Sequence, residues 1–479
     1  MTKENATRIK RCIALLAEME SPDFDLPATF GGHAFLPLSG QRQSIDTVLT
    51  DRHLKSSGAL RTLVEIGPEA LPFLLNAFDD KTPTKIKFED RCGCSGGMWL
   101  DNELWGNPLN ELEMKTLRPL ESVGKRFMEY LRGEKPGLDA YTVKVGDICL
   151  VAIGQIIGRG YQVVGNEPCQ SYIINSPTED GKLREQLRKI WTSDDPPHKL
   201  MNSLLLDYAT EGVFEGSTLG SWYFGSKLQI EAAMRLLYYY PKETAALIAG
   251  RLRKLDVKKV RALGVGSPAT RSENDAWTRR EVANAVSTHE FVKAVSWCRE
   301  PEVHEAIRAI FTRTGDIDIL LAALPGIEDR DRTLIAARLG TFLDAVPAQE
   351  EGVRGNGYNL LVALAEHFGK DAAPAFARYL KDANAQRCHS AAEALRTAKG
   401  NWCVPILSGL LADKRPVGGY WYAVSSSDQD KRLPIRVCDV AAEALHTHRP
   451  EFEFTLEGEY RDLDAQIKVI RDKIAGDRQ

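Results

Sequence analysis

An all-α solenoid of antiparallel helix pairs is the fold class this sequence predicts, and three observations carry it. A short glycine–proline motif recurs three times without a gap. Apolar residues at helical spacing lie upstream of it. The composition is ordinary for a globular chain, at 43% hydrophobic, 8% aromatic and 27% charged residues over 479 positions. That composition excludes a disordered, collagenous or disulfide-stapled miniprotein as a description of the whole.

The three copies run Gly67–Asp80, Gly369–Asp382 and Gly400–Asp413. Each places Pro five residues after Gly, then apolar residues two and six positions on, then Asp. The apolar pairs are Leu74/Phe78, Phe376/Leu380 and Leu407/Leu411. The glycine suits the left-handed residue that ends one helix. The proline suits the first turn of the next, where its missing N–H costs little. Residues four apart share a helix face, and the aspartate favours a turn. Upstream, Leu361, Leu364, Ala365 and Phe368 repeat at helical spacing, as do Ala391, Ala394, Leu395 and Ala398. A single pair cannot bury both its faces, but stacked pairs can.

The unit resembles a HEAT or HEAT-like (PBS-lyase-type) repeat. Cys388-His389-Ser390-Ala391-Ala392-Glu393-Ala394-Leu395 and Cys438-Asp439-Val440-Ala441-Ala442-Glu443-Ala444-Leu445 are similar to the first helix of that family. The best-matching stretches are 58–80, 361–382, 387–413 and 434–446. The resemblance implies one right-handed superhelix over 1–479 and a macromolecule-binding role, although fold does not fix function. Between 120 and 350 only helical periodicity is legible, as at Ile230–Tyr240, Thr244–Leu255, Arg280–Trp297 and Val303–Phe311. Gly146–Gly158 reads as a buried helix, and 160–177 leaves room for a short hairpin. At the C-terminus Leu463, Ile467, Ile470 and Ile474 form a stripe, read as a capping helix in preference to a dimer seam.

Three glycine- and aromatic-rich loop insertions break the pattern, at 81–118, 212–225 and 414–434. Insertions in a solenoid tend to project from one face. Two readings follow. The aromatics line a shared groove for a peptide, glycan or nucleobase, or they fold back and pack, as large aromatics mostly do. The groove residues are Trp99, Trp105, Trp222, Tyr223, Phe224, Tyr420, Trp421 and Tyr422.

A second candidate surface is the basic run Arg251, Arg253, Lys254, Lys258, Lys259 and Arg261, which could contact phosphate. The commoner meaning is a solvated helix end, and the whole chain carries a net charge of −4. Cys92 and Cys94 form a C-x-C pair without the further ligands a zinc site needs. Cys388 and Cys438 hold equivalent repeat positions, which favours packing over a metal or nucleophile role with His389, His446 or His448. The same holds for Glu393 and Glu443. No phosphate-binding loop or zinc-protease motif occurs.

The expectation is a monomeric, non-catalytic scaffold without cofactor or metal, its partner another protein and, second, a nucleic acid. Some HEAT-like proteins resembling this one are bilin lyases or alkylpurine DNA glycosylases. Neither motif set can be placed here, and Trp277 beside Arg279 and Arg280 is the only hint. The N-terminus lacks a secretory apolar core, no segment is apolar enough to span a membrane, and nine cysteines is an odd count. These imply a cytoplasmic chain with reduced thiols.

Overall fold

The computed structural model describes residues 2–20, 35, 37–38, 58–89, 97–101, 110, 113, 132–133, 137–161, 163–166, 172–209, 221–255, 257, 288–326, 328, 331–345, 356–381, 383–425 and 428–476. It is mostly helical, with little sheet. The chain divides into two compact units: 1–251 with 300–303, and 252–299 with 304–479.

In unit 1, α1 (Lys3–Leu15) is capped by the Thr2 hydroxyl, which accepts from the Asn5 N–H at 3.1 Å, and packs on α2 (Gly58–Ile66). Gly67 then adopts φ 69°, a 3-10 turn follows, and α3 (Leu71–Asn76) starts with Pro72 in its first turn. A side chain at 67 is doubly barred, because its Cβ would lie 2.3 Å from the Tyr239 ring. Leu74 and Phe78 are both buried, as their spacing requires. The centre of the unit is α4 (Val145–Ile157), buried along its whole length, which packs on α2 and α3. An apolar surface all round is what such a position demands. It ends at Gly158, φ 77°, in the left-handed region. Further on come α5 (Gly181–Trp191), α6 (Pro196–Ala209), α7 (Ser221–Tyr239) and α8 (Pro241–Lys254).

Strands enter where the sequence reads as insertion. β1 (Pro83–Glu89) pairs antiparallel with β3 (Ala140–Lys144). β2 (Met98–Asp101) lies parallel to β5 (Tyr172–Asn175), which also pairs antiparallel with β4 (Val164–Asn166). Residues 160–177, which the sequence left ambiguous, contain the antiparallel pair β4–β5. The first interruption is not a plain loop, because Thr84 and Ile86 alternate inward between outward Lys85 and Lys87. The second is also shorter than read: residues 221–225 begin α7, and the glycine–aromatic run feeds a helix that buries Leu228, Ala232 and Ala233.

Unit 2 contains α9 (Pro301–Arg313, its first turn grouped with unit 1), α10 (Ile317–Ala323), α11 (Arg332–Asp344) and α12 (Asn356–Phe368). They are followed by α13 (Ala373–Leu380), α14 (Ala385–Leu395), α15 (Val404–Leu410), α16 (Val437–His448) and α17 (Tyr460–Gly476). Gly369 and Gly400 repeat the device of Gly67, at φ 55° and 83°, each followed by a 3-10 turn and a helix with Pro374 or Pro405 in its first turn. First helices pack in succession, α12 on α14 and α14 on α16, and second helices likewise, α13 on α15. Alanines Ala391, Ala392, Ala394, Ala441, Ala442 and Ala444 are buried, which lets these backbones approach closely. The third interruption is not a loop but a two-stranded hairpin, β6 (Pro416–Ser425) and β7 (Asp428–Arg436). The stripe of α17 is buried at Leu463, Ile467, Ile470 and Ile474, and α17 packs on α16.

Candidate functional site

Two of the interruptions are built on one device, which the sequence reading missed. Asp80-Lys81-Thr82-Pro83 leads into β1, and Asp413-Lys414-Arg415-Pro416 leads into β6. The return strands end in Lys144-Val145-Gly146-Asp147 and Arg436-Val437-Cys438-Asp439, which open α4 and α16. The backbone anchors match bond for bond. Val145 N–H donates to the Thr82 carbonyl at 2.9 Å and Gly146 N–H to Asp80 at 3.0 Å. In unit 2, Val437 N–H donates to Arg415 at 3.1 Å and Cys438 N–H to Asp413 at 2.9 Å. Pro83 faces Lys144 and Pro416 faces Arg436, and in both ladders the register shifts directly after the proline. In both helices the aspartate accepts the N–H of the residue before the helix, half of a capping box, since Lys144 and Arg436 have no side-chain acceptor to return the bond.

The two copies differ in how that aspartate is satisfied. Asp147 meets no cation directly. It accepts from the Tyr141 hydroxyl at 2.6 Å, the Ser176 hydroxyl at 2.5 Å and the Lys144 N–H at 2.9 Å. Burial raises its pKa against those hydrogen bonds. Asp439 instead accepts from the Arg436 guanidinium at 2.8 and 3.0 Å. Arg436 is itself buried, reaches Asp464 at 2.9 Å, and lies 4.3 Å from the Tyr460 ring centroid.

The hairpins differ in what they present. On β6, Val417 and Tyr422 are buried, and the Tyr422 hydroxyl donates to the Gly458 carbonyl at 3.2 Å. Between them Gly419 takes φ 81°. Tyr420 is half-buried, its ring 4.5 Å from that of His389 on α14. Trp421 stands 57% exposed. His389 is buried, and that burial lowers its pKa to about 4, so the ring is neutral at pH 7. Beside it Cys388 is buried, its thiol pushed up by burial, with the Arg415 guanidinium 3.6 Å from its sulfur.

Of the sequence-predicted aromatics, Trp99 lies on β2 in unit 1 and is buried, so it packs rather than presents a face. Tyr422 is corrected in the same way. Trp105 lies outside the described residues. Trp222, Tyr223 and Phe224 fall in the first turns of α7, and their side chains lie outside the described set. Tyr420 and Trp421 come together on one strand of unit 2. Of the basic run, Arg251 is held by Gln229 at 2.6 Å and lies over the Tyr208 ring. Arg253 and Lys254 are exposed in the last turn of α8, where cations favour the helix terminus. Lys258, Lys259 and Arg261 lie outside the described residues, as do Cys92, Cys94, Trp277, Arg279 and Arg280.

The remaining titratable clusters are closed. His446 Nδ1 lies 3.0 Å from the Phe452 carbonyl and His448 Nε2 lies 2.7 Å from that of Leu395, while Cys438 is buried. Among the described residues no three His, Cys, Asp or Glu side chains are grouped to hold a metal. In unit 1 a buried ion network was invisible in sequence. Arg159 bridges Glu113 at 2.7 Å and Asp207 at 2.8 Å, and Asn110 and Tyr161 bond to the same carboxylates. It leaves no free donor on the guanidinium and serves the core.

The polar row of α14 is not closed. The Gln386 Nε2, His389 Nδ1 and Ser390 Oγ atoms are enclosed and have no hydrogen-bond partner among the described residues. In the repeat frame set by Cys388 and Cys438, Gln386 and His389 stand where α16 has the paired Arg436 and Asp439. No family model, no curated protein and no solved structure matches the chain.

Proposed function

We propose that this chain is a HEAT-like α-solenoid that binds another protein, catalyses no reaction itself, and uses the β6–β7 hairpin of unit 2 as part of its contact surface. The observation that carries the reading is Trp421. A tryptophan 57% exposed on a strand pinned at both ends is costly to leave in water and is the residue type most enriched at binding hot spots. The succession α12, α14, α16 with α13, α15 alongside supports the stacked-pair architecture. Repeat scaffolds of this kind bind through an extended surface. The six cysteines Cys12, Cys149, Cys298, Cys388, Cys403 and Cys438 are free, buried thiols, which supports a reducing, cytoplasmic setting. No helix among the described residues is long and apolar enough to cross a membrane.

The test is affinity purification of the full chain from its native cell, with wild type and Trp421→Ala compared by mass spectrometry. The expected result is one discrete protein, near stoichiometric with wild type and depleted in the variant. A partner held equally by Trp421→Ala contradicts the assignment of the surface, and the absence of any retained protein contradicts the scaffold reading.

A further inference from the structure

Buried polar groups are almost always hydrogen-bonded, because an unpaired one has lost its water and gained nothing in return. Each exception in a native fold therefore needs a reason. On α14 three exceptions share one face, since Gln386, His389 and Ser390 are spaced three and four apart. His389 is 4% and Ser390 2% exposed, so bulk water does not serve them. At the start of α16 the positions equivalent to Gln386 and His389 are filled by an ion pair, Arg436 with Asp439, and that of Ser390 by apolar Val440. α14 has neither that pairing nor hydroxyl partners like those that satisfy Asp147 at the start of α4.

Over His389, the middle member of the row, lies Tyr420. Its ring lies 4.5 Å from His389, tilted by 33°, and gives no hydrogen bond to it. Two glycines lie on the strand just before Tyr420. Gly418 and Gly419 precede it, Gly419 at φ 81°, and a Cβ at either would meet nothing within 4 Å. The positive φ itself calls for glycine at 419, whereas at 418 neither packing nor a positive φ does. The ladder register also shifts between Pro416 and Trp421, so Tyr420 lies at a bulge or irregularity of the strand pair. In unit 1 the corresponding bulge is filled instead: Thr84 is buried and donates to the Val143 carbonyl at 2.8 Å.

We propose that the Gln386–His389–Ser390 row is a subsite for a neutral amide group of the protein partner, opened when Tyr420 swings aside on the Gly418–Gly419 hinge. The chemistry selects the ligand. The amide nitrogen of Gln386 donates, the serine hydroxyl donates or accepts, and the histidine ring does either according to tautomer. A group with one donor and one acceptor satisfies them. A carboxylate would meet three neutral side chains in the row itself, His389 being neutral at pH 7 because burial lowers its pKa. Trp421, next along the strand, would lie over the adjoining peptide. This proposal rests on the protein-binding reading above and specifies what that partner inserts.

The test uses the full chain labelled with 13C at histidine Cε1, the His389 signal being assigned by its absence in His389→Gln. N-methylacetamide stands for a main-chain amide, acetamide for an Asn or Gln side chain, and sodium acetate for a carboxylate. One or both amides are expected to shift the His389 signal saturably while acetate does not, and the tighter of the two identifies the source. Tyr420→Ala is expected to tighten amide binding several-fold, since no lid has to open. Ser390→Ala is expected to weaken it about tenfold, the value of one buried hydrogen bond, with the unliganded His389 signal unmoved to show an intact fold. A His389 signal unmoved by both amides in wild type and in Tyr420→Ala overturns the subsite, as do equal affinity in Ser390→Ala or equal response to acetate. Partner capture separates the two readings. A partner lost in Trp421→Ala but kept in Ser390→Ala leaves the surface and removes the subsite. Amide binding with no captured partner leaves the subsite and removes the surface.

Discussion

The hairpin of unit 1 and the hairpin of unit 2 share an anchor and differ in everything the anchor carries. Both open on Asp-Lys-x-Pro, close on a basic residue, Val-x-Asp, and bond the new helix back to the turn through the same two backbone groups. The first copy turns its polar and aromatic residues inward: Asp147 is wrapped by hydroxyls, and Trp99, within its loop, is buried. The second pairs its aspartate with a cation and turns Trp421 outward. One frame thus serves as core in one place and as a presented surface in the other. Conserving the backbone bonds while changing the side chains between them suffices for that.

The comparison is broken most severely at the capping aspartates. Asp439→Asn leaves Arg436 buried with only Asp464 for charge and is expected to cost about 4 kcal/mol. Asp147→Asn removes hydrogen-bond acceptors but strands no cation, and about 1 kcal/mol is expected. Helix-resolved hydrogen exchange reads the two separately, at α16 and α4. Equal losses would mean that the partners of the aspartate do not matter.

Acid should drive the two copies in opposite directions. His389 has its folded-state pKa lowered to about 4. The unfolded chain therefore binds the proton first as pH falls below the ordinary value of about 6.5. Stability present above pH 6.5 is lost progressively down to about pH 4, by up to about 3 kcal/mol. Asp147 is raised. With its native pKa above the unfolded one, its contribution grows as pH falls toward the ordinary aspartate range. Exchange measured from pH 7 to 4 should show α14 loosening relative to α4, and His389→Gln should flatten the α14 response.

A smaller contrast lies in the repeat glycines. Gly67→Ala meets the Tyr239 ring as well as an unfavourable φ and is expected to cost about 2 kcal/mol. Gly400→Ala, with nothing within 4 Å of the new methyl, pays the backbone term alone, about 1 kcal/mol. Thermal unfolding of the two variants checks the order. Smallest of all, Trp421→Ala is expected to change stability by no more than about 0.5 kcal/mol, as befits an exposed side chain with a role outside the fold.

Much of the helical frame was legible because its signals are local. Gly67, Gly369 and Gly400 are at positive φ, their prolines lie in first turns, and the buried helix at 145–157 and the α17 stripe fall where periodicity places them. The strands were missed because they are short and sit in segments whose glycines and aromatics read as loop. The duplicated anchor was missed because its two halves are separated by inserts of different length, 83–144 and 416–436, so no ungapped alignment spans them. The Arg159 network joins positions 113, 159 and 207, which no spacing rule connects. Trp421 could be named from composition, but its exposure, and the burial of Trp99 and Tyr422, depend on which strand face meets the core. The unpartnered row on α14 follows only from knowing what its neighbours in the fold leave unbonded.

The central claim is that the unit 2 hairpin, and not its unit 1 counterpart, meets a protein partner. Site-specific photocrosslinking in the native cell tests it most directly, with a benzophenone side chain placed at Trp421 or, on the matching exposed strand of unit 1, at Lys87. A discrete covalent adduct from position 421 and none from position 87 is the predicted result. An adduct from 87 without one from 421, or no adduct from either, would contradict it.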